Sequence, residues 1–287
     1  AGEWDRLAGD DNPFMSHAFL AAMEDSGSVG PGTGWQAAPI TVADQAGTMH
    51  AALPAYLKMH SQGEYVFDQG WADAYQRAGG RYYPKLQIAA PFTPATGPRL
   101  LLEDEAFAAP LLRAAEQVCH EHGLSGAHAT FIAPEQVPLF EDAGWLMRSD
   151  LQFHWENRDY ADFDAFLDTL ASRKRKNLRK ERAKAQEAVE IRHLTGADLT
   201  EEVWDAFWEF YQDTGMRKWG TPYLTREAFT LLGERMGEKI LLIFAYIDGQ
   251  PVAGAMNVIG GTTLFGRYWG CLADIPFLHF ELCYYQA

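Results

Sequence analysis

The chain has 287 residues, of which 47% are hydrophobic, and a formal net charge of −15. This is the composition of a globular protein with a full core, and it excludes intrinsic disorder. The sequence lacks any run of about 18 uncharged apolar residues and therefore predicts no transmembrane segment. Its acidity argues against duplex DNA as a partner. The three cysteines are widely separated and odd in number, which fits free thiols and a cytoplasmic location.

Patterns of apolar and turn residues in the first half predict an α/β unit. Ile40–Leu57 has the pattern of a strand, a turn and a second strand. Further elements are predicted in chain order: a strand-like run at Glu64–Asp68, a helix at Phe107–His122 closed by Gly123, a strand at Ala127–Ile132, a short helix at Pro134–Ala143 and a strand-like run at Trp145–Trp155.

The second half predicts helices followed by a sheet. The predicted helices are Phe163–Leu170, a basic helix capped by Ser172, Trp204–Gln212, and Arg226–Met236 capped by Thr225. The predicted strands are Lys239–Ile247, Pro251–Ile259 and Thr262–Leu272. His279–Ala287 has the pattern of a helix start without a stop signal, so we expect further strands beyond Ala287.

Two segments of the chain share an order of elements. Ile40–Leu57 and Ile243–Ile259 each predict a strand, a turn with Asp and Gly, and a strand rich in small residues, and an aromatic run follows each. This repetition predicts a duplicated α/β unit, with domains at residues 1–150 and 151–287, the second of them incomplete. No Pro/Gly/Ser-rich linker marks the boundary, so we expect tightly packed halves with a ligand cleft between them.

The most concentrated charge lies in the run Arg173–Lys184, RKRKNLRKERAK. It holds eight of the 24 Lys and Arg residues and one acid, a net charge of +7. The chain total of −15 less this +7 leaves −22 for all other residues. Like charges three and four apart destabilise a helix by about 0.2–0.5 kcal/mol per pair, and a bound anion would offset that repulsion.

The basic run therefore predicts a phosphate site on a helix. The residues assigned to it are Arg173, Lys174, Arg175, Lys176, Arg179 and Lys180. A solvated basic face without a ligand is the alternative.

Two further polar sets in the first half are candidates for binding an anionic substrate. Lys58 and His60 have the same strand parity and lie near Glu64 and Asp68, so they can share a face and bind a carboxylate or phosphate. A solvated loop between strands is the alternative. Lys85 belongs to a polar and aromatic set near several prolines; its other members are Tyr82, Tyr83 and Arg99.

A third set follows a predicted helix in the second half. Arg217, Lys218 and Trp219 combine cations with an indole, which suits stacking on a ring or holding a phosphate. Packing of Trp219 at the domain interface is the alternative.

The sequence resembles the FemAB-like family of peptidoglycan-biosynthesis and acyltransferase-like proteins. The matching stretches are distributed along the chain nearly from end to end: Asn12–Trp35, Tyr56–Tyr75, Tyr82–Leu101, Gln152–Asn157, Ser172–Arg182, Thr214–Leu224 and Gly266–Ala287. The resemblance implies two GNAT-like halves in tandem, in an α/β fold with mixed sheets. It also implies transfer of an aminoacyl group from a charged tRNA to an amine on a peptidoglycan precursor, or of an acyl group from acyl-CoA.

Acyl transfer to an amine needs a base, stabilisation of the developing oxyanion, and a proton for the leaving group. Candidates lie on the strand Thr263–Cys271 and directly after it: His279 or Glu281 as the base and Tyr268 as a proton donor. Arg267 is a further cation for the cleft, and strand alternation predicts that it lies opposite Tyr268. Ordinary packing of Tyr268 is the alternative.

The identity of the acyl donor depends on one loop. GNAT enzymes bind the CoA pyrophosphate on a glycine-containing loop between a strand and a helix, and the equivalent Leu272–Phe280 contains no glycine. This departure favours aminoacyl-tRNA over acyl-CoA as the co-substrate.

No tightly bound cofactor and no metal site are expected, and the acceptor is expected to be a small or peptidoglycan-precursor-like molecule bearing phosphate. The alternative is a non-catalytic module that binds a phosphorylated metabolite or lipid headgroup.

Overall fold

The structure is a computed structural model that describes residues 1–218 and 222–287, without the side chain of Lys218. The helices are α1 (Gly2–Ala8), α2 (His17–Asp25), α3 (Gln69–Arg77), α4 (Ala108–Glu121), α5 (Val137–Asp142), α6 (Phe163–Asp168), α7 (Ser172–Ala188), α8 (Glu201–Lys218), α9 (Arg226–Met236) and α10 (Leu278–Phe280). A π-helical turn, Glu281–Tyr285, continues α10, and the two together are called the C-terminal helix. Among the described residues, none of the helices combines the length and apolar character needed to cross a bilayer.

The strands form three sheets. They are β1 (Trp35–Ala37), β2 (Ile40–Ala43), β3 (Met49–Leu53), β4 (Ala55–Lys58), β5 (Lys85–Ile88), β6 (Leu101–Leu102), β7 (Ala127–Ala129), β8 (Glu190–Leu194), β9 (Ile240–Ile247), β10 (Gln250–Ile259) and β11 (Leu264–Cys271). The strand orders are β1-β4-β5-β7, β2-β3-β6 and β11-β10-β9-β8.

The chain divides into two compact units that are not consecutive stretches of sequence. The first unit comprises Ala1–Met147, Tyr223–Met236 and Gly260–Thr263. The second comprises Arg148–Pro222, Gly237–Ile259 and Leu264–Ala287. Each unit contains one of the hairpins predicted from the repeat: β2 pairs with β3, and β9 pairs with β10, both antiparallel.

The core of the first unit lies under α4. This helix buries Leu111, Leu112 and Ala115 against strand residues that include Leu86 and Ile88. The predicted helix is confirmed. Just beyond its C-terminal end Gly123 takes a φ of +61°, the left-handed conformation that favours glycine after a helix.

The second unit has an antiparallel sheet covered on both faces. On one face, Phe210 of α8 packs against Phe244 of β9, with 5.5 Å between ring centroids. On the other face, Leu278 and Leu282 of the C-terminal helix pack in a cluster with Ile243 of β9. The three strands predicted here are confirmed, and β8 adds a fourth strand that the sequence did not reveal. The predicted helix Arg226–Met236 is also confirmed, although it belongs to the first unit.

Some predicted elements are wrong. Residues 64–68 form no strand, because Glu64 and Asp68 turn inward and bind Lys85, and the unpredicted α3 begins directly after them. Residues 145–155 form no strand, since no partner strand within the described residues completes their backbone hydrogen bonds. The residue that caps α7 is Ala171 rather than Ser172.

Gly270 lies where β11 meets α8 with no space for a side chain. A Cβ at this position would lie 2.0 Å from the carbonyl oxygen of Phe210, a backbone atom of α8. Gly266 on the same strand differs, because the nearest atom to its Cβ would be Asn257 Oδ1 at 3.6 Å, an ordinary contact. The close approach of strand and helix therefore depends on Gly270.

We expect Gly270→Ala to lower the free energy of unfolding by about 1–3 kcal/mol, because the α8 backbone must move to admit the methyl group. Urea unfolding monitored by circular dichroism measures the change. Gly266→Ala is the matched control on the same strand and should have the smaller effect. Equal stabilities for the two variants would contradict the close approach.

Candidate functional site

The basic run forms α7, as predicted, and its cations divide between two faces of the helix. At about 100° per residue, Arg175, Arg179 and Arg182 lie on one face. Arg173, Lys176, Lys180 and Lys184 lie on the opposite face. The arginine face points toward acidic side chains of the second unit, and the other face is exposed to solvent.

The arginine face is neutralised inside the protein. Arg175 pairs with Asp168 at 3.1 Å, and Arg179 pairs with Asp164 at 2.8 Å. Both aspartates belong to α6, so α6 and α7 form an antiparallel pair in which acids four residues apart match arginines four residues apart. These two pairs are largely exposed, and each stabilises the unit by about 0–1 kcal/mol.

Arg182 makes the most buried ion pair of α7. Its guanidinium donates two hydrogen bonds of 3.0 Å to the carboxylate of Glu281, which is 1% exposed. Gln186 and Gln286 donate to the same carboxylate. Burial raises the pKa of Glu281, but these hydrogen bonds outweigh burial and hold the pKa below its ordinary value. Glu281 is therefore a poor proton acceptor and joins α7 to the C-terminal helix.

The opposite face, which we call the lysine face, comprises Arg173, Lys176, Lys180 and Lys184, all of them exposed. Within residues 1–217 and 222–287, Arg173, Lys174, Lys176 and Lys180 make no hydrogen bond or ion pair. Three of the seven net positive charges in the run are matched by Asp164, Asp168 and Glu281, and four are left. Of the predicted phosphate residues, Arg175 and Arg179 are thus engaged in ion pairs. The other four remain exposed.

His279 lies on the C-terminal helix and is exposed. Its ring contacts the rings of Trp269, Phe280 and Tyr284, with the nearest centroid, that of Trp269, at 5.1 Å. The ion pair between Arg182 and Glu281 connects this helix to α7, so the predicted base and the basic helix belong to one part of the second unit.

Tyr268 lies on the other face of the sheet. Its ring packs against Tyr211 of α8 at 5.1 Å, whereas its neighbour Trp269 packs on the face covered by the C-terminal helix. The structure therefore does not bring Tyr268 together with His279 and Glu281. Alternation along the strand separates residues 268 and 269.

The predicted placement of Arg267 opposite Tyr268 is wrong. The β10–β11 register pairs Met256 with Tyr268 and Asn257 with Gly266, which leaves Arg267 as the extra residue of a bulge. Its guanidinium carbon lies 4.9 Å from the centroid of the Tyr268 ring.

Arg217 lies near the end of α8 in the same unit. It pairs with Asp213 at 2.7 Å and donates to the carbonyl oxygen of Cys271 at 3.5 Å. The side chain of Lys218 and all of Trp219, the other members of this predicted set, lie outside the described residues.

A second polar site lies inside the first unit. The antiparallel register of β4 and β5 places Lys58 opposite Lys85, so two sets that were separate in sequence meet in one cluster. Lys85 Nζ donates to Glu64 Oε2 and Asp68 Oδ2, each at 2.7 Å. Tyr82 donates its hydroxyl to the same Asp68 oxygen at 2.8 Å. We call Lys58, Lys85, Glu64, Asp68 and Tyr82 the buried charge cluster.

The charged groups of this cluster are shielded from water. Lys58 is 0% exposed, and its Nζ lies 3.6 Å from the ring centroid of Trp35 and 3.1 Å from the carbonyl oxygen of Gln62. Glu64 Oε1 is 3.7 Å from Lys58 Nζ, and neither this oxygen nor Asp68 Oδ1 has a hydrogen-bond partner among the described residues. The alternative of a solvated loop at these positions is therefore wrong.

Burial sets the protonation of the cluster. It lowers the pKa of Lys58 to about 7, although Glu64 opposes the change. It raises the pKa of Glu64 more than Lys85 and Lys58 lower it. For Asp68, burial is outweighed by hydrogen bonds from Lys85, Ser61 and Tyr82, so the pKa of that carboxyl is lowered.

Two predicted residues of the first unit lie apart from the cluster's hydrogen bonds. His60 follows β4, and its Nε2 lies 3.1 Å from the carbonyl oxygen of Thr33. Burial, with the charge of Lys58, lowers the pKa of His60. Arg99 is 0% exposed and donates to the backbone carbonyls of Ala95, Pro98 and Thr130, which indicates a structural role.

Sequence reasoning missed the acids that neutralise α7. A signal was present: Asp164 and Asp168 are four residues apart on a helix that precedes α7 by only a few residues, and Arg175 and Arg179 repeat that spacing. Glu281 carried no comparable signal, because it is 99 residues from Arg182 in sequence.

The comparisons with known proteins agree with this architecture. The chain matches the FemAB_like family, described as peptidoglycan biosynthesis/recognition, over residues 1–287, and it belongs to that family. Membership confirms the predicted class: an α/β protein with mixed sheets that fits a tandem GNAT-like architecture. No curated protein matches the chain.

Two solved structures share the fold. One is the C-terminal domain (DUF2156) of an Agrobacterium fabrum protein whose name assigns it to the lysylphosphatidylglycerol synthetases. The TM-score is 0.53 and the sequence identity is 10%, and the match covers 99% of this chain and 71% of that chain. The other is a conserved protein of unknown function from Bacteroides thetaiotaomicron VPI-5482. Here the TM-score is 0.50 and the sequence identity is 11%, and the match covers 99% of this chain and 82% of that chain. At these identities the likeness concerns the fold.

We expect Lys85→Met to lower the free energy of unfolding by about 3–5 kcal/mol, because it leaves Glu64 and Asp68 buried without their shared cation. Urea unfolding near neutral pH measures the change. Lys176→Met on the exposed face of α7 is the control and should change stability by no more than about 0.5 kcal/mol. Similar small losses for both variants would contradict the buried ion pairs.

Lys58 predicts a pH dependence of stability. Its folded-state pKa of about 7 lies below the ordinary 10.5, so above pH 7 the folded chain releases a proton that the unfolded chain keeps. Stability therefore rises with pH in this range. Relative to Lys58→Met, the wild-type free energy of unfolding should increase by at least about 1 kcal/mol from pH 7 to pH 10. A difference between the two proteins that does not change with pH would refute the assignment.

Proposed function

We propose that this chain is a Fem-like aminoacyltransferase that moves an aminoacyl group to an amine of an anionic, phosphate-bearing acceptor. The observation that carries the proposal is the lysine face of α7: four net positive charges left exposed in a chain of net charge −15. Family membership supports the reaction class. The Agrobacterium fabrum protein is named after the lysylphosphatidylglycerol synthetases, and that name is consistent with an aminoacyl group and an anionic acceptor.

The lysine face suits a phosphate group because its charges are exposed, adjacent and not matched by the protein's own acids. Successive cations at positions 173, 176, 180 and 184 are three or four residues apart, so each pair repels by about 0.2–0.5 kcal/mol. A phosphate that touches two of them relieves this repulsion and gains charge-assisted hydrogen bonds. Arg175 and Arg179 would hold the helix in place instead of touching the ligand.

His279 is the base that we assign to the reaction, since Glu281 is already bound by Arg182, Gln186 and Gln286. In the proposed step the acceptor amine attacks the carbonyl carbon of the aminoacyl ester. The new C–N bond forms as the ester C–O bond breaks, and His279 carries the amine proton to the departing hydroxyl oxygen. The donor that we propose is aminoacyl-tRNA, because residues 272–280 lack the glycines of a CoA pyrophosphate loop.

A panel of ligands tests the donor and the acceptor. Thermal unfolding of the chain is measured with acetyl-CoA, a nucleotide-linked peptidoglycan precursor and bulk tRNA. A ligand at about 100 times its Kd adds about 2.7 kcal/mol of stability. Stabilisation by the precursor or tRNA supports the proposal. Stabilisation by acetyl-CoA alone would favour an acyl-CoA-dependent enzyme.

We expect Lys176→Gln combined with Lys180→Gln to weaken binding of the stabilising ligand about tenfold, because two charge-assisted contacts to phosphate are lost. Isothermal titration calorimetry at two salt concentrations measures the loss, and the variant should show the weaker salt dependence. Arg113→Gln combined with Arg192→Gln removes the same charge from other exposed positions and is the control. Equal losses in both double variants would show that net charge, and not the lysine face, governs binding.

A further inference from the structure

A set of large apolar side chains is exposed on one segment of the first unit. We call Met59, Tyr65, Phe67, Trp71 and Tyr75 the aromatic patch; their exposed fractions range from 41% to 66%. Large apolar side chains are mostly buried in folded proteins. Where several of them are exposed together, the surface is typical of a contact site. The aromatic patch is therefore a candidate contact site.

The fold produces this exposure through α3. Trp71 and Tyr75 are one turn apart on the helix, and Ala74 and Ala78 continue the same apolar face, while only Ala72 of α3 is buried. Beside this face lies an open, almost wholly apolar groove of about 590 Å³, lined by Gly70, Trp71, Ala74, Tyr75, Ala78 and Tyr82. The helix therefore turns an apolar face outward instead of into the core.

The charged residues of the segment that carries the aromatic patch would not repel an anionic surface. The segment from residue 59 to residue 81 contains the acids Glu64 and Asp68, but both are buried and bound by Lys85. The exposed charged residues of the segment are Asp73, Arg77 and Arg81, with a net charge of +1. The exposed charge of this segment is therefore slightly positive, although the whole chain has a net charge of −15.

We propose that the aromatic patch docks the first unit onto the surface of an anionic lipid bilayer. Tryptophan and tyrosine have an apolar ring and a polar tip, so they favour the boundary between acyl chains and headgroups. Arg77 and Arg81, at the end of α3 and just beyond it, attract anionic headgroups. The nine residues of α3 extend about 14 Å, less than half of a bilayer core of about 30 Å, so the contact is peripheral.

This docking does not depend on the proposed transfer reaction. A chain without transferase activity would still bind the vesicles, and an active enzyme that fails to bind them would contradict only the docking. If both are correct, the acceptor amine belongs to a membrane lipid or a lipid-linked precursor, and the patch brings the enzyme to it.

Co-sedimentation with vesicles tests the docking. The chain is mixed with sucrose-loaded vesicles of phosphatidylcholine alone, and of phosphatidylcholine with phosphatidylglycerol. We expect binding to the mixed vesicles, and a loss of about tenfold or more in Phe67→Ser combined with Trp71→Ser, because two aromatic side chains no longer enter the interface. Arg77→Gln combined with Arg81→Gln should remove the preference for phosphatidylglycerol.

A matched control uses a phenylalanine and a tryptophan that are at least about as exposed but lie in the second unit. Phe153 and Trp155 are 88% and 64% exposed, against 66% and 65% for Phe67 and Trp71. Phe153→Ser combined with Trp155→Ser should leave vesicle binding unchanged. Circular dichroism confirms that each variant is folded before its binding is compared.

Several results would overturn the docking. These are no binding of the wild-type chain to mixed vesicles, equal losses in the two serine double variants, or an unchanged Phe67→Ser/Trp71→Ser variant. Binding of dispersed short-chain phosphatidylglycerol as tight as binding of vesicles would show that the groove takes single lipid molecules. If sedimentation velocity shows self-association that the patch variant abolishes, while vesicles do not bind, the patch is an interface between copies of the chain.

Discussion

Lys85 holds two carboxylates, Glu64 and Asp68, in the interior of the first unit, each at 2.7 Å. An ammonium and two carboxylates leave water at a large free-energy cost unless they pair closely, so this contact fixes the path of the segment between them. Asp68 is the residue before α3, and its inward position sets where that helix begins. The same contact removes both acids from the surface next to the aromatic patch, which is why that surface can approach anionic headgroups.

In the second unit, ion pairs likewise position α7, a helix with eight cations. Glu281 binds Arg182 from the buried side, and Asp164 and Asp168 bind Arg179 and Arg175 from α6. The guanidinium group suits such fixed, bidentate pairs, whereas lysine carries a mobile, well-hydrated charge. Three of the four arginines of α7, Arg175, Arg179 and Arg182, attach the helix, whereas its lysines and Arg173 are exposed. The ion-paired cations and the exposed cations of α7 are therefore separate sets of residues, and the phosphate site that we propose uses the exposed set.

This separation changes how the predicted site should be understood. A basic run of sequence indicates an anion site without saying which of its members touch the anion, and here two of the six predicted phosphate residues are engaged by aspartates. The predicted catalytic trio also divides: Tyr268 lies on the α8 face of the sheet, whereas His279 and Glu281 belong to the helix on the other face. Of the two predicted bases, Glu281 is held ionised by its hydrogen bonds, and His279 remains exposed.

The sequence by itself determined the elements whose signals are local. The helix Arg226–Met236, the helix of the basic run, the hairpins of the repeat and membership of the FemAB-like family all follow from patterns within short windows or along the whole chain. Tertiary structure alone decided that Lys58 lies opposite Lys85 on neighbouring strands, that Glu281 reaches Arg182, and that residues 64–68 form no strand. Each of these depends on strand register or on the desolvation of charges brought together from distant positions, which no local pattern of residues encodes.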